Sequence, residues 1–222
     1  FPTRRSSDLL SLLAEAVQAA DQDVAQARHF AARMQLEVRR LTDLIADLVE
    51  LSRVQGDAPL RNSKPVPVQD IVAEAVDSMK IAAEKRGIQV NVAPDIAVGS
   101  IFGDEAQLVT ALRNLVSNAI NYSPEGTKVG VGVKRDGDQI EITVTDQGPG
   151  ISDVDQARIF ERFYRVDPAR SRQTGGTGLG LSIVKHVAAK HGGDIKVWSA
   201  ENVGSTFTLM LPLYTGASEK TL

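Results

Sequence analysis

The sequence predicts an α+β protein: two paired helices, then a domain in which one sheet is backed by helices. Three observations lead there. Residues 9–54 carry apolar side chains at heptad spacing, first Leu13, Val17, Ala20 and Val24, then Met34, Val38, Leu41, Ile45 and Leu48. That seam is made for another helix. Downstream, helical and alternating apolar runs mix without strict βα succession, as in an α+β layer. Finally, Gly175-Gly176-Thr177-Gly178-Leu179-Gly180-Leu181 sets glycines ahead of an apolar helix. Backbone N–H groups at such a helix start suit an anion, usually a phosphate.

In chain order, residues 1–8 read as an unrelated or disordered tail, with Pro2 and a polar cluster ahead of the helical pattern. Residues 9–55 form a helical hairpin, broken near Asp21-Gln22-Asp23, where Asp can cap a new helix. Two amphipathic helices cannot bury both stripes alone, so a dimeric four-helix bundle is expected. Residues 56–64 make a linker, punctuated by Gly56, Pro59 and Pro65. The second domain spans 65–213. Val66 and Val68 alternate as a short strand. Ile71, Val72, Ala75, Val76 and Met79 follow a helical period, Ile88, Val90 and Val92 alternate, and Ile101-Phe102 follows. Asp104 caps a helix whose buried face is Leu108, Leu112, Leu115, Val116 and Ala119. Val129–Val133 and Ile140–Val144 alternate on either side of Asp136-Gly137, a hairpin. A helix over 180–190 and strands near 194–199 and 205–211 complete the domain, and 214–222 is a tail.

Composition narrows the classes. The chain has 222 residues, 42% hydrophobic, an ordinary globular balance. Its formal charge of −3 gives no electrostatic reason for nucleic acid as a partner. No cysteine is present, which removes disulfides and zinc–thiolate sites. No apolar run approaches the ~20 residues of a membrane span.

Asn114 and Asn118 lie one turn apart on an otherwise apolar helix face. An amide oxygen is a suitable hard ligand for Mg²⁺, which points to Asn118. Asn114-Leu115-Val116-Ser117-Asn118, Asp146-Gln147-Gly148-Pro149-Gly150 and the 175–181 glycines resemble, in order and spacing, the N, G1 and G2 boxes of the sensor histidine kinase ATP-binding domain. Ile159–Arg165 resembles its F box and Gly204-Ser205-Thr206-Phe207 its last glycine box. The resemblance covers roughly 9–213. It implies a Bergerat-type (GHKL) α/β sandwich that binds ATP and Mg²⁺. By the same resemblance, Asp146 reads the adenine amine, with Gly148, Gly150 and Ile151 beside it. Gly175, Gly176, Thr177, Gly178, Leu179 and Gly180 form the phosphate loop, Arg165 reaches a phosphate, and Thr206 supports the floor. Tyr122 closes the N box. Asn121 is counted with the cofactor-binding residues, although the family often has lysine at that place, which puts one phosphate contact in question but not the fold. Phe160 and Phe163 are expected to seat a lid running from about Ser152 to Gly178.

The resemblance further implies transfer of the ATP γ-phosphate to a histidine, and onward to a response regulator of the OmpR type. Leu108–Ile120 and Lys185-His186-Val187-Ala188 are similar to actinobacterial phosphate-starvation sensors. The expected location is cytoplasmic, in a parent protein anchored to a membrane. The acceptor motif His-Glu-x-x-Thr-Pro is absent, and none of His29, His186 and His191 has its context. His191, at a helix end, suits a cation. Truncation before or within that motif is therefore expected. Two alternatives differ in class: a gyrase-type ATPase, and an ATP-binding pseudokinase that serves only as an interaction module. Against the first, Asn114 cannot act as a general base at neutral pH.

Overall fold

Helix α1 (Val24–Gln55) dominates the N-terminal part of this computed structural model, which describes residues 24–55, 62–166 and 176–216 together with the helical positions Ser11 and Ala14. The expected turn at 21–23, Leu13, Val17 and Ala20 of the first stripe, most of the 56–64 linker, the 1–8 tail, residues 217–222 of the C-terminal tail and Gly175 lie outside the described residues. The second stripe divides. Met34 and Leu41 are half-buried, whereas Val38, Ile45 and Leu48 are 52%, 60% and 50% exposed. Leu51 joins the core of the following domain, and α1 lies against the helix that begins at Gly180.

Strands β1 (Lys64–Pro67) and β3 (Ser100–Gly103) pair antiparallel as a separate two-stranded ribbon, so the expectation of one sheet needs correction. Val68 is also corrected: it opens helix α2 (Val68–Lys85) rather than extending the strand. Pro67 is the reason. Its fixed φ of −61° and extended ψ of 132° end the ribbon and pre-set the helix start. Val66 and Val68 are both fully buried, which is why the pair mimicked strand alternation.

The main sheet has the order β2 (Gln89–Val92), β4 (Lys128–Asp136), β5 (Gln139–Thr145), β7 (Gly204–Pro212), β6 (Asp194–Ala200). β2 runs parallel to β4 and the other pairs are antiparallel. Helices α2, α3 (Glu105–Tyr122) and α5 (Gly180–Lys190) cover one face, with Leu112, Leu115, Ile140, Ile142, Ile183 and Leu209 fully enclosed. The period of two sends alternate residues to the other face. There Thr145 and Thr206 share a hydrogen bond of 3.0 Å.

Asp104 caps α3, its Oδ1 accepting from Gln107 N–H at 3.2 Å. Its own N–H donates to His191 Nε2 at 3.1 Å, while His191 Nδ1 bonds the Val187 carbonyl at 2.8 Å. His191 therefore staples the end of α5 to the start of α3. It is buried, and desolvation pushes its pKa below the usual range, so it is neutral rather than the cation expected at a helix end. Only glycine fits at 103, where a Cβ would lie 2.2 Å from the imidazole. Among the described residues, no helix is long and apolar enough to cross a membrane.

Candidate functional site

Two adjoining cavities open between α3, the start of α5 and the β5–β7 edge. The first has about 470 Å³ and is lined by Asn118, Tyr122, Asp146, Ile151, Ser205 and Phe207 among others. Its anchor is Asp146, which follows β5 and is 8% exposed. Asp146 Oδ1 accepts from Gly148 N–H at 2.8 Å and from Ser205 N–H at 3.2 Å. Burial raises its pKa above the usual carboxylate range, and these two donors offset that only in part. Oδ2 is left for a ligand donor. Two close approaches hold the floor. A Cβ on Gly150, at φ +75°, would sit 2.0 Å from the Ala200 carbonyl; one on Gly204, at φ +130°, would sit 2.2 Å from the Asp146 carbonyl. Asn202 N–H closes the seam on the Pro149 carbonyl at 2.6 Å. Ser199 Oγ accepts from Ile151 N–H at 2.9 Å and lies 2.9 Å from Ser205 Oγ.

Short helix α4 (Asp153–Gln156) forms the outer wall. Tyr164 donates to Asp155 Oδ1 at 2.5 Å, and the Arg158 guanidinium stacks 4.3 Å over the Tyr164 ring. Bonds from Ser152 and Tyr164 hold the Asp155 carboxyl below its usual range.

The second cavity, about 460 Å³, carries the phosphate-loop residues Gly176, Thr177, Gly178 and Gly180 with Asn114 and Asn121. Asn118, Tyr122 and Arg165 line both cavities and so mark their junction. Asn114 spends its amide N–H on the Thr110 carbonyl at 3.0 Å and turns Oδ1 towards Gly180, where a Cβ would come within 2.9 Å. Asn121 Nδ2 donates to Ser117 Oγ at 3.3 Å. The Arg86 guanidinium caps this end of α3, donating to the Asn121 carbonyl at 2.7 Å and the Ser123 carbonyl at 3.0 Å. Phe163 N–H bonds the Gly178 carbonyl at 2.9 Å, tying the 159–165 segment to the glycine loop.

Three expected residues stand elsewhere. Leu179 is fully buried in the core, so only its backbone faces the loop. Thr206 points to the open face of the sheet, because its neighbours Ser205 and Phe207 take the cavity side. Phe163 is 48% exposed at φ +63° and does not pack a lid; Phe160 does pack against the core. Sequence reasoning missed the Asp155–Tyr164–Arg158 wall, of which the F box contains only Tyr164, and Ser199, which lies in no box. It also missed Asp43, Asp47 and Arg113 on the second cavity. Asp43 and Asp47 reach it through the docking of α1, which no local spacing encodes, while Arg113 stands on α3. His186 Nδ1 is tied to the Ser182 carbonyl at 2.8 Å, and His191 is enclosed.

Residues 103–215 match the family model described as "Histidine kinase-, DNA gyrase B-, and HSP90-like ATPase". The sensor-like histidine kinase SenX3 of Mycolicibacterium smegmatis is 53% identical over 206 residues, covering 92% of this chain and 53% of that protein. The chain thus spans about half the length of these curated relatives. Among solved structures, the mycobacterial sensor histidine kinase MprB is 32% identical with a TM-score of 0.58, covering 68% of this chain and 98% of that one. Full-length ShkA is 26% identical with a TM-score of 0.70, covering 96% and 44%. The chain belongs to the histidine kinase-, DNA gyrase B- and HSP90-like ATPase family, as a homologue of the sensor histidine kinases.

Proposed function

We propose that this chain binds Mg²⁺-ATP and transfers the γ-phosphoryl group to a histidine outside itself, as the nucleotide-binding core of a two-component sensor kinase. The observation that carries this reading is Asp146: one carboxylate oxygen locked on two backbone N–H groups, the other left at the head of an apolar cavity. That arrangement suits the exocyclic amine of adenine and disfavours guanine, whose oxygen at that place donates nothing. The ShkA structure is of a complex with AMPPNP, which supports nucleotide in the same fold. The residues fit the group. Asn118 joins the base side to the phosphate side and would supply the protein's oxygen to Mg²⁺. The start of α5 turns its N–H groups towards the second cavity, where phosphates would lie.

When bound, ATP supplies the phosphoryl group; the chain's own contribution is positioning and charge stabilisation. Asn114 cannot act as a general base at neutral pH, in keeping with transfer to a protein acceptor. His29 stands exposed on α1 without an acidic neighbour in a Glu-x-x-Thr-Pro context. The acceptor is therefore assigned to another polypeptide or to a longer form of this one. The downstream partner is a response regulator, of the OmpR type on the sequence resemblance. The exposed Val38, Ile45 and Leu48 stripe supports a homodimer through α1.

Calorimetry with Mg²⁺-ATP and Mg²⁺-GTP tests the reading: ATP should bind and GTP should not compete. A relative carrying the acceptor histidine but unable to bind ATP should gain acid-labile label when mixed with this chain. Silence towards ATP would sink the proposal. For the dimer, Ile45→Asp should leave the fold intact and shift the sedimentation of a concentration-dependent dimer to monomer. A wild-type monomer at high concentration would overturn it.

A further inference from the structure

The phosphate-side cavity is not enclosed by its own domain. Asp43, Ala46 and Asp47 of α1 form one of its walls, facing Asn114, Asn118 and the glycine loop. Asp47 Oδ2 accepts the Thr177 hydroxyl proton at 2.5 Å, while Thr177 Oγ1 accepts from Leu179 N–H at 3.2 Å. The hydroxyl has only one proton to donate, and α1 holds it. Burial raises the Asp47 pKa above the usual carboxylate range, the Thr177 hydrogen bond lowers it, and of the neighbouring charges Asp43 is unfavourable and Arg113, a cationic wall residue of the same cavity, favourable. The loop's donor is engaged by a carboxylate of the helical hairpin, with the Arg113 cation on the same cavity, in the space that the nucleotide reading gives to phosphates.

We propose that Asp47 is an autoinhibitory anion. With α1 docked, its carboxylate occupies the Thr177 hydroxyl and sets negative charge against the β- and γ-phosphates, so that docked hairpin and bound triphosphate exclude one another. This rests on the nucleotide reading of the site and adds its regulation. A carboxylate and a phosphate competing for one donor and one cation repel at close range in a partly dry cavity. ATP therefore favours the undocked arrangement, and any partner that pulls α1 away raises ATP affinity by the same factor. AMP, which lacks the β- and γ-phosphates, is indifferent to Asp47.

The test titrates ATP and AMP, each with Mg²⁺, into the full chain and into Asp47→Asn and Asp47→Ala. Asn keeps the shape and an acceptor for Thr177 but removes the charge; Ala removes both. The expected result is ATP binding tightened roughly 5-fold by Asn and at least as much by Ala, with AMP affinity unchanged. An ATP-to-AMP affinity ratio that stays put in both variants, or ATP weakened by either, overturns the autoinhibitory role while leaving the nucleotide site standing. A wild-type chain and variants silent to both nucleotides overturn the nucleotide reading, and this inference with it. Circular dichroism on each variant reports folding, and because Asp47→Asn is isosteric, at least one informative protein is available.

Discussion

The base side and the phosphate side of the site are built differently. The base side is finished within the sheet: Asp146, Gly150, Gly204 and Ser199 lock one another through backbone bonds and contacts with no room for a Cβ. The phosphate side is assembled from parts that no single element owns, namely a glycine loop, the polar edge of α3 and the flank of α1. Selection of the base can thus be rigid and constant, while access for the phosphates can depend on where the helical hairpin sits. On the proposed nucleotide reading, a displacement of α1 would bear directly on one half of the ligand and not on the other.

Substitutions on the base side should produce the largest effects. Asp146→Asn keeps an acceptor for Gly148 and Ser205 N–H but offers adenine a donor where it needs an acceptor. It should cost about 2 kcal/mol of ATP affinity, roughly 30-fold, and as much for AMP. An equal affinity for wild type and variant would show that the base is read elsewhere. Gly204→Ala forces a side chain into φ +130° and against the Asp146 carbonyl. It should destabilise the fold by about 1–3 kcal/mol, seen as a lowered Tm, and weaken ATP and AMP together. A Tm unchanged by this substitution would show the floor to be looser than its contacts.

Arg86→Ala probes the other half. It uncaps the Asn121 and Ser123 carbonyls at the end of α3 and should cost about 1 kcal/mol, felt more by ATP than by AMP. Equal losses for both nucleotides would erase the distinction between the two sides at that residue. The smallest effect is expected from the support they share. His191 is neutral when folded, because burial holds its pKa below that of an ordinary histidine, about 6.5. Below that value the unfolded chain takes up a proton that the folded chain refuses. Stability is therefore fully present above about pH 6.5 and falls as pH drops through it. His191→Gln should flatten this acid-side decline in urea-monitored stability and leave the ATP-to-AMP ratio untouched. A slope identical to wild type would show that His191 does not carry it.

Much of the domain was legible because its signals are local. Periods of two and 3.6 located β4, β5, α3 and α5, and Asp104 marked the cap of α3, since burial of one face imposes its spacing directly. Asp146 and the glycines were legible because a strand end and a helix start select for particular residue types. Val68 misled because alternation of two buried valines looks the same in a strand and across a strand–helix junction. Thr206 misled because a motif names a segment but not the face each residue takes, which the register against Thr145 decides.

By itself the sequence determined the α+β class, the polar groups able to meet a nucleotide and the absence of a histidine in acceptor context, all properties of residue type and spacing. Tertiary structure alone decided that β1 and β3 form a ribbon apart from the main sheet, that His191 is enclosed and neutral, and that Asp47 reaches Thr177 across 130 residues. Such contacts join segments distant in the chain, and their geometry follows from how whole helices pack on the sheet rather than from any local pattern.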